Sequence, residues 1–126
     1  MARPVPTADF RPGYCAIRTY WHDDVSVSWQ FNSTGGTAQN MAGTWTCKLY
    51  ASDTSTSAVA TPTVVTTYST AGLVTTTLAS TLIAPLFAGS SGTEWNGWYD
   101  LVRVSTASAQ RTWIAGPWEI SRNQPR

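Results

Sequence analysis

The amino-acid sequence predicts an all-β protein: a single antiparallel β-sandwich, immunoglobulin-like, of about seven strands with one short helical turn and an extended N-terminal arm. Three observations lead to this prediction. Hydrophobic and polar residues alternate along most of the chain, as they do in strands that bury one face. Segments rich in Gly, Asn and Ser separate the alternating runs, as the turns of sandwiches and barrels do. A length of 126 residues suits one domain with one core.

Seven runs have the composition and periodicity of strands. In the second run the alternation places Val25, Val27 and Trp29 on the inner face, and in the third it places Trp45 and Cys47 there. The seven predicted strands cover residues 14–20, 25–31, 44–50, 63–68, 73–78, 98–105 and 112–121.

Glycine and proline mark the limits of these strands. Gly72 belongs to the turn between the fourth and fifth strands, and Asn96-Gly97 is predicted to form a turn before the sixth. Pro62 and Pro117 fall in or beside strands. Because proline has no amide proton for the ladder, an edge or a bulge is expected at each.

One segment departs from the two-residue period. Residues 80–87 carry Leu82, Ile83 and Phe87 at helical spacing, and Pro85 limits any helix there to one or two turns. We expect this segment to form a short helical plug that closes one end of the sandwich.

Outside the sandwich domain, predicted for residues 14–122, the chain has two short extensions. Residues 1–13 contain three prolines and are predicted to be an extended N-terminal arm, and residues 123–126 a C-terminal tail. The start of the chain lacks the basic and hydrophobic regions of a secretory signal. No apolar run is long enough to cross a membrane.

Composition argues against several classes of function. The formal net charge is +1, so the chain lacks the basic surface of a nucleic-acid binder. Charged residues make up 12% of the chain, whereas Ser and Thr together supply 33 positions. A surface with so little charge suits a protein that neighbours partly cover better than it suits a free enzyme.

Few side chains could carry chemistry. Asp23 and Asp24 follow His22, which carries the only imidazole of the sequence. A solvated turn explains the three residues better than an acid–base or metal site does. Asp100 could face Arg103 or Arg111 across a strand pair, or it could cap a loop. We predict no catalytic residue, no metal site and no cofactor.

The two cysteines, Cys15 and Cys47, both lie in alternating hydrophobic runs. That position favours two buried thiols that act as small hydrophobic residues. A disulfide across the sandwich, which would need an oxidising environment, is the alternative.

Tryptophan is the most informative residue type, with seven copies. Trp29 and Trp45, and in the last strand Trp113, are in phase with the inner face, so we expect them in the core. The remaining four lie near loops or strand ends, where aromatic rings either bind partners or sugars as exposed platforms or, partly buried, anchor the ends of strands. These four are Trp21, Trp95, Trp98 and Trp118.

The order of motifs in the second half resembles a known family. A Gly-Thr-Trp strand at 43–50 leads to a hairpin at 64–78, and the helical turn at 80–87 follows. The Trp-Tyr-Asp-Leu strand at 98–104 then precedes a closing strand at 113–122. This arrangement resembles the small LtfC-like β-sandwich domains of virion proteins in tailed phages of actinobacteria.

The resemblance implies a structural protein of the phage virion, assembled in the host cytoplasm and without catalytic residues. A capsid decoration or minor capsid protein is the first expectation, and a minor tail protein or a carbohydrate-binding receptor module is the alternative. The expected partners are the major capsid protein or tail subunits and other copies of the chain, with a host glycan as a further candidate. Neither nucleic acid nor a membrane is expected as a partner.

We predict partner contacts at aromatic residues that lie on the arm or in loops. These are Phe10, Tyr14, Trp21, Trp95 and Trp98. A carbohydrate-binding role would instead predict that Trp95, Trp98 and Trp118 form a coplanar strip or a cleft with polar flanks.

Overall fold

The computed structural model describes residues 13–20, 24–33, 35–88 and 92–122. Two sheets face each other across one hydrophobic core, so the predicted all-β sandwich is confirmed. The described strands are β1 (Gly13–Tyr14), β2 (Ile17–Tyr20), β3 (Val25–Gln30), β4 (Gly43–Tyr50), β5 (Thr63–Val65), β6 (Leu73–Leu78), β7 (Glu94–Ser105) and β8 (Gln110–Ser121).

The larger sheet has five strands. Its central pair, β7 and β8, is antiparallel; β4 pairs with β7 on one side, and β1 and β2 both pair with β8 on the other. The pairings of β1 and β2 with β8 are parallel, so the sheet is not antiparallel throughout as predicted. The smaller sheet has the order β3-β6-β5, with antiparallel pairing.

The first predicted strand is divided in two around Cys15-Ala16, and it begins one residue earlier, at Gly13. A Cβ at Gly116 of β8 would lie 2.3 Å from the carbonyl oxygen of Cys15, so only glycine permits this close approach. The next residue, Pro117, has no N–H to donate. It lies in a strand flanked on both sides, not at the predicted edge or bulge, and the gap between β1 and β2 accommodates it.

A bulge interrupts the β7–β8 ladder between Leu101 and Val102. On β8, Ile114 pairs with Leu101 while Thr112 pairs with Val102, which leaves Trp113 as the extra residue. Trp113 and Ile114 both contribute to the core although they are adjacent. The bulge therefore changes which residues of β8 face the core, because the alternation on one side of it is out of phase with that on the other.

Both long strands start earlier than the sequence predicts. Strand β7 begins at Glu94, so Asn96-Gly97 lies within a strand and not in a turn. Gly97 is needed there because a Cβ would overlap the ring of Trp95 and the carbonyl oxygen of Tyr50. The fourth predicted strand is shorter than expected, because it ends at Val65. It forms β5, the edge strand of the three-stranded sheet, and Pro62 immediately precedes it.

The predicted helical plug is present. Helix α1 (Ser80–Ile83) continues into a 3₁₀ turn over Ala84–Phe87, and Ile83 and Phe87 are buried against the core. Asp24 accepts a hydrogen bond from the backbone N–H of Ser80 at 2.9 Å, which satisfies a free donor of the first turn.

Aromatic rings form the centre of the core. Trp118 and Tyr99 are fully buried, and their rings meet edge to face with centroids 5.5 Å apart. Trp29 of the opposite sheet stacks on Tyr99 at 6.2 Å, so the two sheets meet through these rings. The polar groups of these two rings are bonded: the Tyr99 hydroxyl donates to the Cys15 carbonyl at 2.7 Å, and the Trp118 indole donates to Thr19 Oγ1 at 3.1 Å.

Candidate functional site

The outer face of the five-stranded sheet carries the aromatic and charged side chains that do not join the core. Along β4 the inner positions Trp45, Cys47 and Leu49 are buried, so Lys48 and Tyr50 project outward. Along β7, β8, β1 and β2 the register continues the same face. Its outward residues include Trp98, Asp100, Val102, Gln110, Thr112, Tyr14, Arg18 and Tyr20.

Tyr14 and Trp98 form an aromatic pair on this face. Their ring centroids are 6.5 Å apart and their planes are tilted by 57°. Tyr14 is 73% exposed, whereas Trp98 is half-buried. Strand β1 places Tyr14 beside Ala115 of β8, and Trp98 lies on β7 opposite Pro117. The small side chains on β8 leave the space in which the two rings meet.

A groove runs beside the aromatic pair, across β4, β7 and the start of β8. Its volume is about 310 Å³, at the small end of the range of about 300–1,000 Å³ typical of ligand pockets. Tyr50 adjoins the aromatic pair because it lies opposite Trp98 in the β4–β7 register. The groove is lined by Thr46, Lys48, Tyr50, Asp100, Val102, Val104, Gln110 and Thr112.

Lys48 and Asp100 supply the charges of the groove, and they lie directly opposite each other on β4 and β7. Burial raises the pKa of Asp100 above its usual value of 3.8, while the Tyr50 hydroxyl and the Lys48 ammonium act in the opposite direction. Burial, followed by the charge of Asp100, raises the pKa of Tyr50. One Asp100 carboxylate oxygen is shielded from solvent and has no hydrogen-bond partner among the described residues.

Asp100 does not face either of the arginines suggested by the sequence. Arg103 donates two hydrogen bonds to the carbonyl oxygen of Ala42, at 3.0 and 2.6 Å, and Arg111 lies 3.8 Å from the Trp113 ring centroid. Arg103 is three residues from Asp100 on β7, so it lies on the opposite face of the sheet, and the bulge in β8 turns Arg111 to that face as well. Lys48 is the cation that lies opposite Asp100 in the β4–β7 register.

An ion pair lies on the same outer face, away from the groove. Arg18 and Glu119 are cross-strand neighbours on β2 and β8, with 3.5 Å between Nη2 and Oε2. The Arg18 side chain is 72% exposed, so this pair contributes little to stability.

The structure brings together two of the five predicted contact residues, Tyr14 and Trp98. Trp95 was expected in a loop, but it lies in β7 on the same side as Tyr99 and packs against the core. The expectation that Trp95 lies in a loop is wrong. Phe10 and Trp21, with His22 and Asp23, the arm up to residue 12 and the tail 123–126, lie outside the described residues.

The proposed strip of three tryptophans is also wrong. Trp118 is fully buried and Trp95 faces inward, so only Trp98 is on the outer face. The aromatic neighbours of Trp98 are instead Tyr14 and Tyr50, neither of which is a tryptophan. Tyr50 was not among the predicted site residues. Its outward position nevertheless follows from the alternation along β4, which places Trp45 inward and Tyr50, five residues later, outward.

The cysteines are free thiols, not a disulfide. Cys47 is fully buried, and burial raises its pKa to about 12, with the hydroxyl of Thr76 acting in the opposite direction. A thiol with so high a pKa is protonated and unreactive at neutral pH. Cys15 is half-buried between β1 and β2.

Within the described ranges, no three His, Cys, Asp or Glu side chains are grouped as the ligands of a metal ion would be. The helices of those same ranges include none with the length and hydropathy needed to cross a membrane. By its fold, the chain is an all-β sandwich protein. No family model matches the chain, and no curated protein matches its sequence.

Proposed function

We propose that this chain is a non-enzymatic structural protein of a phage virion, a capsid decoration or minor capsid protein that docks through the outer face of its five-stranded sheet. The observation that carries this proposal is the aromatic pair formed on that face by the exposed Tyr14 and the half-buried Trp98. Large aromatic residues contribute most of the energy in many protein interfaces. The resemblance of the motif order to LtfC-like virion domains gives the proposal its biological setting.

The charges of this face favour docking of a protein surface over long-range electrostatic attraction of a charged ligand. Lys48 lies opposite Asp100 and Arg18 lies beside Glu119, so the charges are balanced in pairs. Apolar burial contributes about 25 cal/mol per Å² before the cost of ordering is subtracted. The aromatic rings are therefore the expected source of affinity, and the charge pairs the source of orientation.

The reactive groups of the described residues support a non-catalytic role. Cys47 is a buried thiol with a pKa near 12, and Asp24 is engaged by the N–H of Ser80. Asp100 is the one carboxylate among the residues that line the groove. We accordingly assign no catalytic residue and no cofactor.

The proposal is tested by co-sedimentation of the purified protein with phage capsids that lack it. We expect saturable binding at a fixed copy number per shell, with assembly into a homo-oligomer on the lattice. The double variant Tyr14→Ala/Trp98→Ala should weaken binding by at least about tenfold.

Tyr68→Ala is the matched control, because Tyr68 is 64% exposed in the turn between β5 and β6, away from the proposed face. It should bind capsids as the unmodified protein does. Equal binding by the double variant and Tyr68→Ala would refute the assignment of the face. Binding to tail tubes, and not to capsids, would make the chain a minor tail protein.

A second candidate role is a carbohydrate-binding receptor module of the tail. The groove next to Trp98 favours it, since polar side chains and an aromatic ring line the same cavity. Host glycans would then be the partner in place of capsid subunits.

A further inference from the structure

We infer that the groove on the outer face binds an uncharged saccharide, which it recognises through Asp100, Lys48 and the ring of Tyr50. This inference rests on the second candidate role and specifies its ligand. The cavity of about 310 Å³ is open on a sheet of paired strands, so the backbone positions of its lining residues are fixed without a ligand.

The charges of the groove select an uncharged ligand. Lys48 and Asp100 oppose each other in register, and no other lining residue carries a formal charge. An anionic ligand would place its charge beside the Asp100 carboxylate, and a cationic one would meet Lys48. A neutral ligand meets a donor and an acceptor side by side, without an unmatched charge.

The polar side chains match the bonding capacity of sugar hydroxyls. A hydroxyl group both donates and accepts, and the groove offers a carboxylate, an ammonium group and the amide of Gln110, as well as the hydroxyls of Thr46 and Thr112. One Asp100 oxygen is shielded from solvent, so a ligand hydroxyl would reach the carboxylate through its other oxygen.

The apolar parts of the groove match the other face of a sugar ring. Tyr50 lines the end of the groove next to Trp98, and Val102 and Val104 line it on the other side of the Lys48–Asp100 pair. Aromatic rings with a polar tip combine an apolar surface with a hydrogen-bonding group. The C–H face of a pyranose can pack on such a ring while its hydroxyls bond to the polar wall.

A peptide fits the groove less well. Extended peptides commonly bind by adding a strand to a free sheet edge, through backbone donors and acceptors. Strand β7, which crosses the groove, is paired with β4 on one side and β8 on the other. The groove thus offers side chains but no unpaired backbone of β7.

The test is a tryptophan fluorescence and calorimetric titration of the intact chain with defined trisaccharides. The uncharged probes are cellotriose, maltotriose, mannotriose and chitotriose, and the anionic probe is trigalacturonic acid. We expect saturable binding of at least one uncharged probe and none of the anionic one. Tyr50→Ala should weaken that binding by about tenfold, and Asp100→Asn by at least about tenfold.

Tyr68→Ala is again the control, since it removes an exposed tyrosine far from the groove, and thermal unfolding of each variant verifies that it is folded. Preference for trigalacturonic acid would overturn the uncharged ligand while preserving the receptor role. Uncharged binding that survives both Tyr50→Ala and Asp100→Asn would overturn the groove as its site. If no probe binds, the inference and the receptor role both fail, and a peptide or protein partner on this face takes their place.

Discussion

On the outer face of the three-stranded sheet, polar side chains bond to one another. The hydroxyls of Ser26 and Thr77 are 3.1 Å apart, and those of Ser28 and Thr75 are 2.8 Å apart, each pair joining β3 to β6. On the five-stranded sheet, by contrast, an Asp100 oxygen has no partner and aromatic rings are exposed. The three-stranded face satisfies its own polar groups, whereas the five-stranded face presents aromatic rings and a groove with charged side chains, and is the better suited to a partner.

The largest expected effect is on the free energy of unfolding, and it distinguishes Trp118, which lies in the core, from Trp98, which lies on the outer face of the five-stranded sheet. Trp118→Ala should lower the free energy of unfolding by about 3–5 kcal/mol, because it leaves a cavity at the centre of the core and removes the indole N–H that bonds to the Thr19 hydroxyl. Trp98→Ala should lower it by about 1 kcal/mol or less, since Trp98 is only half-buried. Denaturant unfolding of both variants measures the difference, and equal losses would contradict the assignment of Trp98 to the outer face.

An intermediate effect concerns the charge in the groove. The folded-state pKa of Asp100 is raised, so the folded protein binds a proton more tightly than the unfolded chain does. Stability from this group is therefore present below the usual pKa of 3.8 and is lost as pH rises through the raised value. Asp100→Asn removes that loss, and its stability relative to the unmodified protein should rise across the same interval.

Denaturant unfolding at a series of pH values measures this dependence. Tyr50→Phe provides the complementary variant, because it removes the hydroxyl that lowers the pKa of Asp100. In that variant the loss of stability should extend to higher pH. Stability curves for Asp100→Asn and the unmodified protein that run parallel over the whole range would show that Asp100 is not desolvated.

The smallest effects are expected on the three-stranded face. Ser28→Ala should cost about 0.5–1 kcal/mol by leaving Thr75 without its partner. The double variant Ser28→Ala/Thr75→Val should return to within about 0.5 kcal/mol of the unmodified protein, because neither half of the bond is left alone. A double-mutant cycle of unfolding free energies measures the coupling. Neither variant should alter binding to capsids or saccharides, and a loss of binding would mean that this face is also functional.

Alternation along the chain was enough to predict the sandwich, the plug and most of the strands, because burial of one strand face leaves a period of two. It failed where the backbone changes phase. If Trp113 faces inward, an unbroken β8 would turn Trp118 outward, and the bulge beside Trp113 is what lets both rings reach the core. A bulge of this kind has no marker in the local sequence.

The candidate site was predicted only in part for a similar reason. Trp98 stood out as an aromatic residue next to strand positions, but its neighbours depend on pairings between distant segments. Tyr14 reaches it because β1 lies parallel to β8, about a hundred residues later, and Tyr50 because β4 lies against β7. Asn96-Gly97 has the composition of a turn, and for that reason Trp95 was not recognised as a strand residue. In β7 it points to the same side as Tyr99, toward the core.

The parallel pairing of β1 and β2 with β8 also determines at what stage of folding the proposed docking face is complete. These two early strands have their sheet partner at residues 114–121, and contacts of such long range slow the folding of a domain. During synthesis, Tyr14 leaves the ribosome long before β8 does, and it has no position beside Trp98 until β8 is in place. A nascent chain is thus unable to engage a partner through the aromatic pair before its core has closed. If the chain docks through this pair as proposed, docking requires the finished domain, which favours incorporation of folded copies into an assembly.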